Sequence, residues 1–370
     1  MTALFIFGTL LDDDLRATVM GQAVAGQPAQ LTDFVVERAD GGDWPILVAR
    51  PGGVADGLLL NLNDNALERA AFYEAAFGYV AEVMQIERQG QTTNAQVYRA
   101  PGGAGSGQAW SLVKWQTTHA PFTRRAAGEA MALFGTVSIE NLQFRMPQIR
   151  IRAHSAERAA QSPAPTTLRH DSAAADVVIQ KHTVPYQHFF EVGETTLTHA
   201  LFNGGISAPM TRAGFRTGDA VTVLPYDPAR DRVLLVEQFR YGPWLRGDPH
   251  PWHLEPIAGR IDPGEDAETS ARREAQEEAR ITIGALHRIG AYYPSPGVLS
   301  EHLVSYVGVA DLPDEATGVA GLDTEQEDIR SHILSFDAAM ALIDTGEAAT
   351  GPLLLSLLWL DRARERGVFA

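Results

Sequence analysis

Three glutamates, Glu274, Glu277 and Glu278, lie three and four residues apart within GRIDPGEDAETSARREAQEEARI, residues 259–281. On an α-helix that spacing projects their side chains from one face. Carboxylates gathered this way repel one another unless a cation intervenes, and hard divalent ions such as Mg²⁺ or Mn²⁺ prefer such oxygen ligands. The stretch holds seven acidic residues beside four arginines, so a solvated helix laced with Glu–Arg pairs accounts for it as well. Spacing alone leaves both readings open.

The elements that must position these groups can be read around them. Pro263-Gly264 predicts a turn, and the acids after it suit a helix N-terminus through the macrodipole. Ala267, Ala271 and Ala275 form a strip small enough for close packing on a sheet. DAVTVLPYD, DRVLLVEQFR, ALHRIGAYYPSPG and EHLVSYVGVA read as strands, VVIQKHTVPYQHFFEV as strand, and SFDAAMALIDTG and GPLLLSLLWLDRARERG as helices. Strands before and between a few helices predict a layered α/β/α sandwich.

Further upstream, ALFIFGTL, DGLLLNL, AEVMQIER and TNAQVYRA read as strands. NALERAAFYEAAFG and RRAAGEAMALFGTVSIENLQ read as helices, giving an α+β domain. SAERAAQSPAPTTLRHDSAAAD lacks apolar periodicity and predicts a linker at 155–176, between domains 1–154 and 177–370. Two domains are the expectation for 370 residues, and 45% hydrophobic residues fit a globular chain.

The net charge of −16 argues against a nucleic-acid partner, which selects a basic face. There is no cysteine, which excludes thiolate chemistry and fits a reducing compartment. MTALFIFGTLLDDDL has neither the basic start of a signal peptide nor the length of a membrane span. No membrane partner and a cytoplasmic setting are therefore expected.

Gly259, Glu265, Arg273, Glu274, Glu277 and Glu278 fall at the spacing G-x5-E-x7-R-E-x-x-E-E, which resembles the Nudix box. Arg280 replaces the usual glycine after it and Ala275 a larger aliphatic, while Ile281 is retained. The resemblance implies hydrolysis of a nucleoside diphosphate linked to another moiety. It implies Glu274, Glu277 and Glu278 as metal ligands with the backbone carbonyl of Ala258, and Arg273 orienting the glutamates. VLLVEQFRYGPW, WHLEPIAG, YYPSPGVLSEHLVSYVG and GLDTEQEDIR are similar to segments of the ADP-ribose pyrophosphatase group. That similarity implies Mg²⁺-dependent cleavage of ADP-ribose to AMP and ribose 5-phosphate. It also makes Glu301, beyond Pro296, the general base, and Arg240 and Glu255 substrate contacts. Tyr186 and Phe189 in YQHFF would stack on adenine, and the relatives imply an intertwined homodimer.

FIFGTL resembles the Y-G-S-L turn of the γ-glutamylcyclotransferase-like (AIG2-like) fold, with Phe7 and Thr9 in place of tyrosine and serine. WPILV and GGVADGLLL fit its middle portion. The resemblance implies a mixed barrel, substrate binding by the backbone of Gly8, Thr9 and Leu10, and Glu74 before Tyr79 as the acid/base. Attack of an amine on an amide carbonyl is the chemistry such a group serves. A silent packing domain is the other reading of this half. The two-domain combination resembles Nudix-containing tellurite-resistance proteins of bacteria. A GDP-sugar substrate, or a stress-related scaffold with silent sites, are the alternatives to ADP-ribose hydrolysis.

Overall fold

Residues alternate between two apolar environments along the first strand, β1 (Thr2–Ile6). Leu4 and Ile6 join a core shared with helices, whereas Phe5, with Phe7 just beyond, joins a second core of strand residues. Side chains two apart share a face of a strand, so β1 serves both cores. The computed structural model describes residues 1–162, 165–322 and 327–369. The chain divides into two compact units, Met1–Arg169 and His170–Ala370.

In the first unit β1 is followed by α1 (Asp13–Met20), β2 (Gln27–Ala39), β3 (Pro45–Leu62) and α2 (Asp64–Ala75). Then come β4 (Val80–Arg88), β5 (Gln91–Arg99), β6 (Gly105–Ala109), α3 (Leu112–Thr118), α4 (Ala120–Met131) and α5 (Ile139–Gln161). The strands run in the order β3-β1-β5-β4-β2-β6, and β2 also pairs with β3, closing β1 to β5 into a barrel. β1 and β5 are parallel and the other pairs antiparallel, so the barrel is mixed. Leu31, Leu47, Leu59, Ile86 and Val97 fill its interior with Phe5. The helices cover the outer face carrying Leu4, Leu60 and Leu62.

Two expectations are corrected here. The single helix expected over RRAAGEAMALFGTVSIENLQ is two helices, because Gly135 takes φ +75° and Ser138 caps α5, accepting from Asn141 N. The linker expected at 155–176 starts inside α5, which runs to Gln161. Ala-rich SAERAAQ favours helix intrinsically, and it extends one whose buried face is set by Ile149 and Ala153, with Glu157 reaching Arg125 across to α4 at 3.1 Å.

In the second unit, β7 (Val177–Gln187), β8 (Glu191–His199) and β9 (Met210–Arg216) make a three-stranded antiparallel sheet. The segment VVIQKHTVPYQHFFEV is thus a hairpin that turns at 188–190. Next are β10 (Ala220–Asp227), β11 (Arg232–Phe239), α6 (Tyr241–Arg246), β12 (Trp252–Glu255), β13 (Ile257–Arg260) and α7 (Ala267–Ala279). β14 (Leu286–Tyr292), β15 (Leu303–Val309), β16 (Gly318–Ala320), β17 (Ile329–Ser335), α8 (Phe336–Thr345) and α9 (Gly351–Glu365) complete it. The main sheet runs β14-β15-β10-β11-β17-β16, with β12 on β11 and β13 on β10.

Alternation again sorts the layers. Val221, Val223, Leu234 and Val236 pack with Ala267, Ala271, Ala275 and Ala279 of α7. Leu224, Tyr226, Val233 and Leu235 pack with Phe336 of α8 and Leu353, Leu357 and Leu360 of α9. The unit is the α/β/α sandwich. Within GLDTEQEDIR, residues 323–326 lie outside the described residues. Among the described residues no helix is long and apolar enough to cross a membrane.

Candidate functional site

α7 starts where Asp266 accepts a hydrogen bond from Thr269 N at 2.8 Å. It stops at Arg280, whose φ of +55° is the left-handed conformation that usually falls to glycine. There Ile281 N donates to Ala275 O at 3.2 Å and Arg280 N to Gln276 O at 3.1 Å. The alanine strip seats the helix close to the sheet, which brings Glu274 over β13. A Cβ on Gly259 would stand 1.9 Å from Glu274 Cδ, so only glycine leaves room for that carboxylate.

Arg273 ties the face together. Its Nη1 donates to Glu274 Oε1 at 2.8 Å and to Glu277 Oε2 at 2.9 Å, and its Nη2 donates to Arg260 O at 3.0 Å. Nη2 also reaches Glu265 Oε2 at 3.2 Å, while Glu265 accepts from Ser270 Oγ at 2.7 Å. Burial would make Arg273 easier to deprotonate, but the charges of Glu274 and Glu265 outweigh it and raise its pKa. Glu278 lies deepest, 2% exposed, and accepts from Ala258 N at 3.2 Å. Its burial, reinforced by the charge of Glu274 and opposed by that backbone bond, pushes its pKa up to about 8.

Among the described residues no group of three Asp, Glu or His side chains is drawn together tightly enough to hold a metal ion. The positive charge between Glu274 and Glu277 is the Arg273 guanidinium. The donor chemistry nonetheless suits a hard divalent ion: Glu274 and Glu278 both reach β13, at Gly259 and Ala258, Glu277 shares Arg273 with Glu274, and all of them offer oxygen ligands. The glycine cradle fixes where Glu274 must sit.

Of the other expected residues, Arg240, Glu255 and Glu301 lie near this face, Arg240 acting on both Glu278 and Glu301. Arg240 donates from Nε to Glu255 Oε2 at 2.6 Å, so these two are each other's partners. Glu301 precedes β15 and is half-buried, 3.4 Å from Arg260 Nη1. Burial raises its pKa, against the charges of Arg260 and Arg240. Arg260 was not singled out by its sequence position. It also donates to Gly218 O at 2.8 Å, and no local pattern announces a contact with Glu301. Tyr186 and Phe189 are exposed, at 47% and 55%, around the β7–β8 turn.

The first unit holds a cavity of about 310 Å³ beside the end of β1. Gly8, Thr9 and Leu10 line it, followed by a short turn in which Leu11 N donates to Gly8 O at 2.9 Å. Glu74, in the last turn of α2, faces it among Tyr73, Tyr79, Tyr98, Trp44 and Trp115. The Glu74 carboxyl has no hydrogen-bond partner among the described residues, and burial pushes its pKa up to about 7. Tyr79 is held by its hydroxyl, which donates to Pro45 O at 3.3 Å.

The family model for the NUDIX domain matches residues 216–356, which span β13, α7 and Glu301. Over 186 residues the chain is 37% identical to the ADP-ribose pyrophosphatase of Escherichia coli (strain K12), covering 50% of this chain and 88% of that protein. The chain belongs to the Nudix family. The same Nudix region is 36% identical over 188 residues to the ADP-ribose pyrophosphatase of Haemophilus influenzae, covering 50% of this chain and 86% of the relative. It is 32% identical over 150 residues to the GDP-mannose pyrophosphatase of Enterobacter sp. (strain 638), covering 40% and 77%. Ahead of the Nudix domain, the model for gamma-glutamyl cyclotransferase, AIG2-like, matches residues 4–116. That match takes in Gly8 to Leu10 and Glu74, and it stops before α4 and α5.

Proposed function

We propose that the Nudix domain hydrolyses the pyrophosphate of ADP-ribose to AMP and ribose 5-phosphate, using Mg²⁺ or Mn²⁺. The observation that carries this is the three-glutamate face of α7 held over Gly259, in a domain whose relatives include two named ADP-ribose pyrophosphatases. Glu274, Glu277, Glu278 and the carbonyl of Ala258 would hold the ion, which when bound supplies positive charge against the pyrophosphate. Arg273 keeps Glu274 and Glu277 aimed together from below. Glu301 takes the proton of the attacking water, and burial, by raising its pKa, makes it a stronger base than a free carboxylate. The water oxygen bonds to one phosphorus, the bridging P–O bond breaks, and the departing phosphate keeps the electron pair. Arg240, exchanging Glu255 for substrate, pairs with a phosphate oxygen.

A GDP-sugar is the second reading, favoured by the GDP-mannose pyrophosphatase relative. The test is incubation with Mg²⁺ and, separately, ADP-ribose, ADP-glucose, GDP-mannose and NADH, following AMP or GMP release. GMP alone moves the substrate, and no release from any of them ends the hydrolase reading. We also propose a homodimer. It is supported by β7, whose Val177, Val178 and Ile179 are 49%, 51% and 63% exposed, an uncovered apolar edge. Light scattering at the monomer mass would refute it.

For the first unit we propose cyclotransferase-like chemistry at Glu74. The α-amine nitrogen of a γ-glutamyl group bonds to its own γ-carbonyl carbon and the amide C–N bond breaks. Glu74 carries the proton from the attacking amine to the departing nitrogen, giving 5-oxoproline and a free amine. Release of 5-oxoproline from γ-glutamyl peptides is the measurement. Its absence would leave this half a packing domain.

A further inference from the structure

Gly259 faces Glu274 on the α7 side of the sheet, so the next side chain along β13, Arg260, points to the other side. In the ladder Arg260 pairs with Ala220 of β10, and Ala220 pairs in turn with Leu303 of β15. The middle side chain of that row is a methyl group, which leaves the Arg260 guanidinium a path toward the segment before β15. There its Nη1 donates to Gly218 O at 2.8 Å and lies 3.4 Å from Glu301 Oε1. Among the described residues no other side chain is hydrogen-bonded to the Glu301 carboxylate. Arg240 acts on Glu301 through its charge but is bonded to Glu255. The backbone is stitched on both sides of the pair: Ile261 N donates to Asp219 O and Ala220 N to His302 O, each at 3.1 Å. Arg260 O meanwhile accepts from Arg273 Nη2 at 3.0 Å, and that guanidinium also holds Glu274 and Glu277. Residue 260 is thus tied by its carbonyl to the glutamate face and by its side chain to Glu301.

We propose that Arg260 is a positioning residue for the hydrolysis, fixing the Glu301 carboxylate in orientation and distance relative to the three-glutamate face. The inference rests on the reading of Glu301 as the base that takes the proton of the attacking water. A glutamate carboxylate turns about several single bonds, whereas a base must lie within hydrogen-bond reach of the proton it takes. Nη1 of Arg260 carries two hydrogens, one for the Gly218 carbonyl and one for Glu301, so the backbone of one strand aims a side chain that precedes another. At 3.4 Å the contact with Glu301 exceeds the about 2.7–2.9 Å of a tight charged hydrogen bond, so Oε1 is aimed without being saturated. The two side chains are 31% and 21% exposed, and a partly buried pair is screened less than one on the surface.

The test compares Arg260→Met, Arg260→Lys and Glu301→Gln in the full chain, each alone and with the two sites combined. AMP release from ADP-ribose with Mg²⁺ gives kcat and KM, and thermal unfolding reports folding. Arg260→Met, unbranched and without donors, is expected to lower kcat by about ten- to a hundredfold and to leave KM within about threefold. Arg260→Lys keeps the charge on one ammonium and should recover part of the loss. Glu301→Gln should cost about a hundredfold or more, leaving a rate that a long incubation reads. In that background neither Arg260 substitution should lower kcat further by more than about twofold, because the group it positions is gone. If Arg260→Met does not fold, Arg260→Lys carries the same comparison. A loss of equal size with and without Glu301, or a folded Arg260→Met at full kcat while Glu301→Gln is slow, would overturn the proposal. Glu301→Gln at full rate would instead sink the base reading and take this role of Arg260 with it, as would no release by the unaltered chain. A coupled loss that falls on KM and spares kcat would remove Glu301 as the base and leave Arg260 positioning it as a substrate contact.

Discussion

Replacing Gly259 with alanine puts a methyl group where the Glu274 carboxyl now sits, because the added Cβ would stand 1.9 Å from Glu274 Cδ. Glu274 must swing away and give up its 2.8 Å bond from Arg273 Nη1. A hydrogen bond between charged groups contributes about 1.5–3 kcal/mol. Alanine in place of glycine within a strand returns about 0.5–1 kcal/mol. The net expectation is a loss of about 1–2 kcal/mol, a fall in melting temperature of about 2–8 °C for a unit of this size. Activity should suffer far more, since displacing a catalytic group by about 1 Å costs on the order of a hundredfold. The assay is AMP release from ADP-ribose at saturating Mg²⁺, beside thermal unfolding by circular dichroism. Glu268→Gln, exposed in the first turn of α7, is the control and should change neither. Adding Glu274→Asp to Gly259→Ala, one methylene shorter, should recover stability without recovering activity. If Gly259→Ala keeps activity within threefold and melts normally, the close approach does not position Glu274.

Three further outcomes follow from the same geometry. Glu278→Gln should abolish Mg²⁺-dependent AMP release without lowering the melting temperature, since the amide fits the same buried space without a charge to desolvate; a lower melting point with activity intact would contradict this. Arg280→Gly relieves a left-handed conformation that costs an L-residue about 1–2 kcal/mol, less about 0.5–1 kcal/mol for the freer unfolded chain, so a gain of about 1 kcal/mol should appear in denaturant unfolding. Glu74, with its pKa raised to about 7, stabilises the first unit when protonated and loses that contribution as pH rises from its unfolded value through about 7. Glu74→Gln should therefore flatten the stability profile between about pH 5 and 7, and 5-oxoproline release by the unaltered chain should fall as pH drops below about 7, where the carboxylate that accepts the proton disappears.

What could be read from the sequence was whatever has a local period. The alanine strip of α7 and the alternating runs of β10, β11 and β15 carry their burial in their own residues, and their layers follow. The box spacing placed Glu274, Glu277 and Glu278 on one face, but not the Arg273 guanidinium between two of them. β13 is four residues, too short for any periodic signal, yet it supplies Gly259, Ala258 and Arg260. Arg260 meets Glu301, and Arg150 meets the Glu74 cavity, through tertiary packing between segments far apart in the chain. The break between α4 and α5 was visible as Gly135 and Ser138, but flanking helix-formers masked it.

β1 is shared by both cores of the first unit and hydrogen-bonded between β3 and β5. Neither the barrel nor the helical layer can open while it stays in place, and neither keeps its packing if it leaves. The unit should accordingly behave as one cooperative exchange block, with the amides of β1 trading hydrogen for deuterium only when the whole unit unfolds. Because β1 runs straight into Gly8, a ligand seated in the cavity is anchored to the slowest-exchanging strand. Occupancy would then register as slower exchange throughout the barrel, a readout of binding that needs neither turnover nor a chromophore.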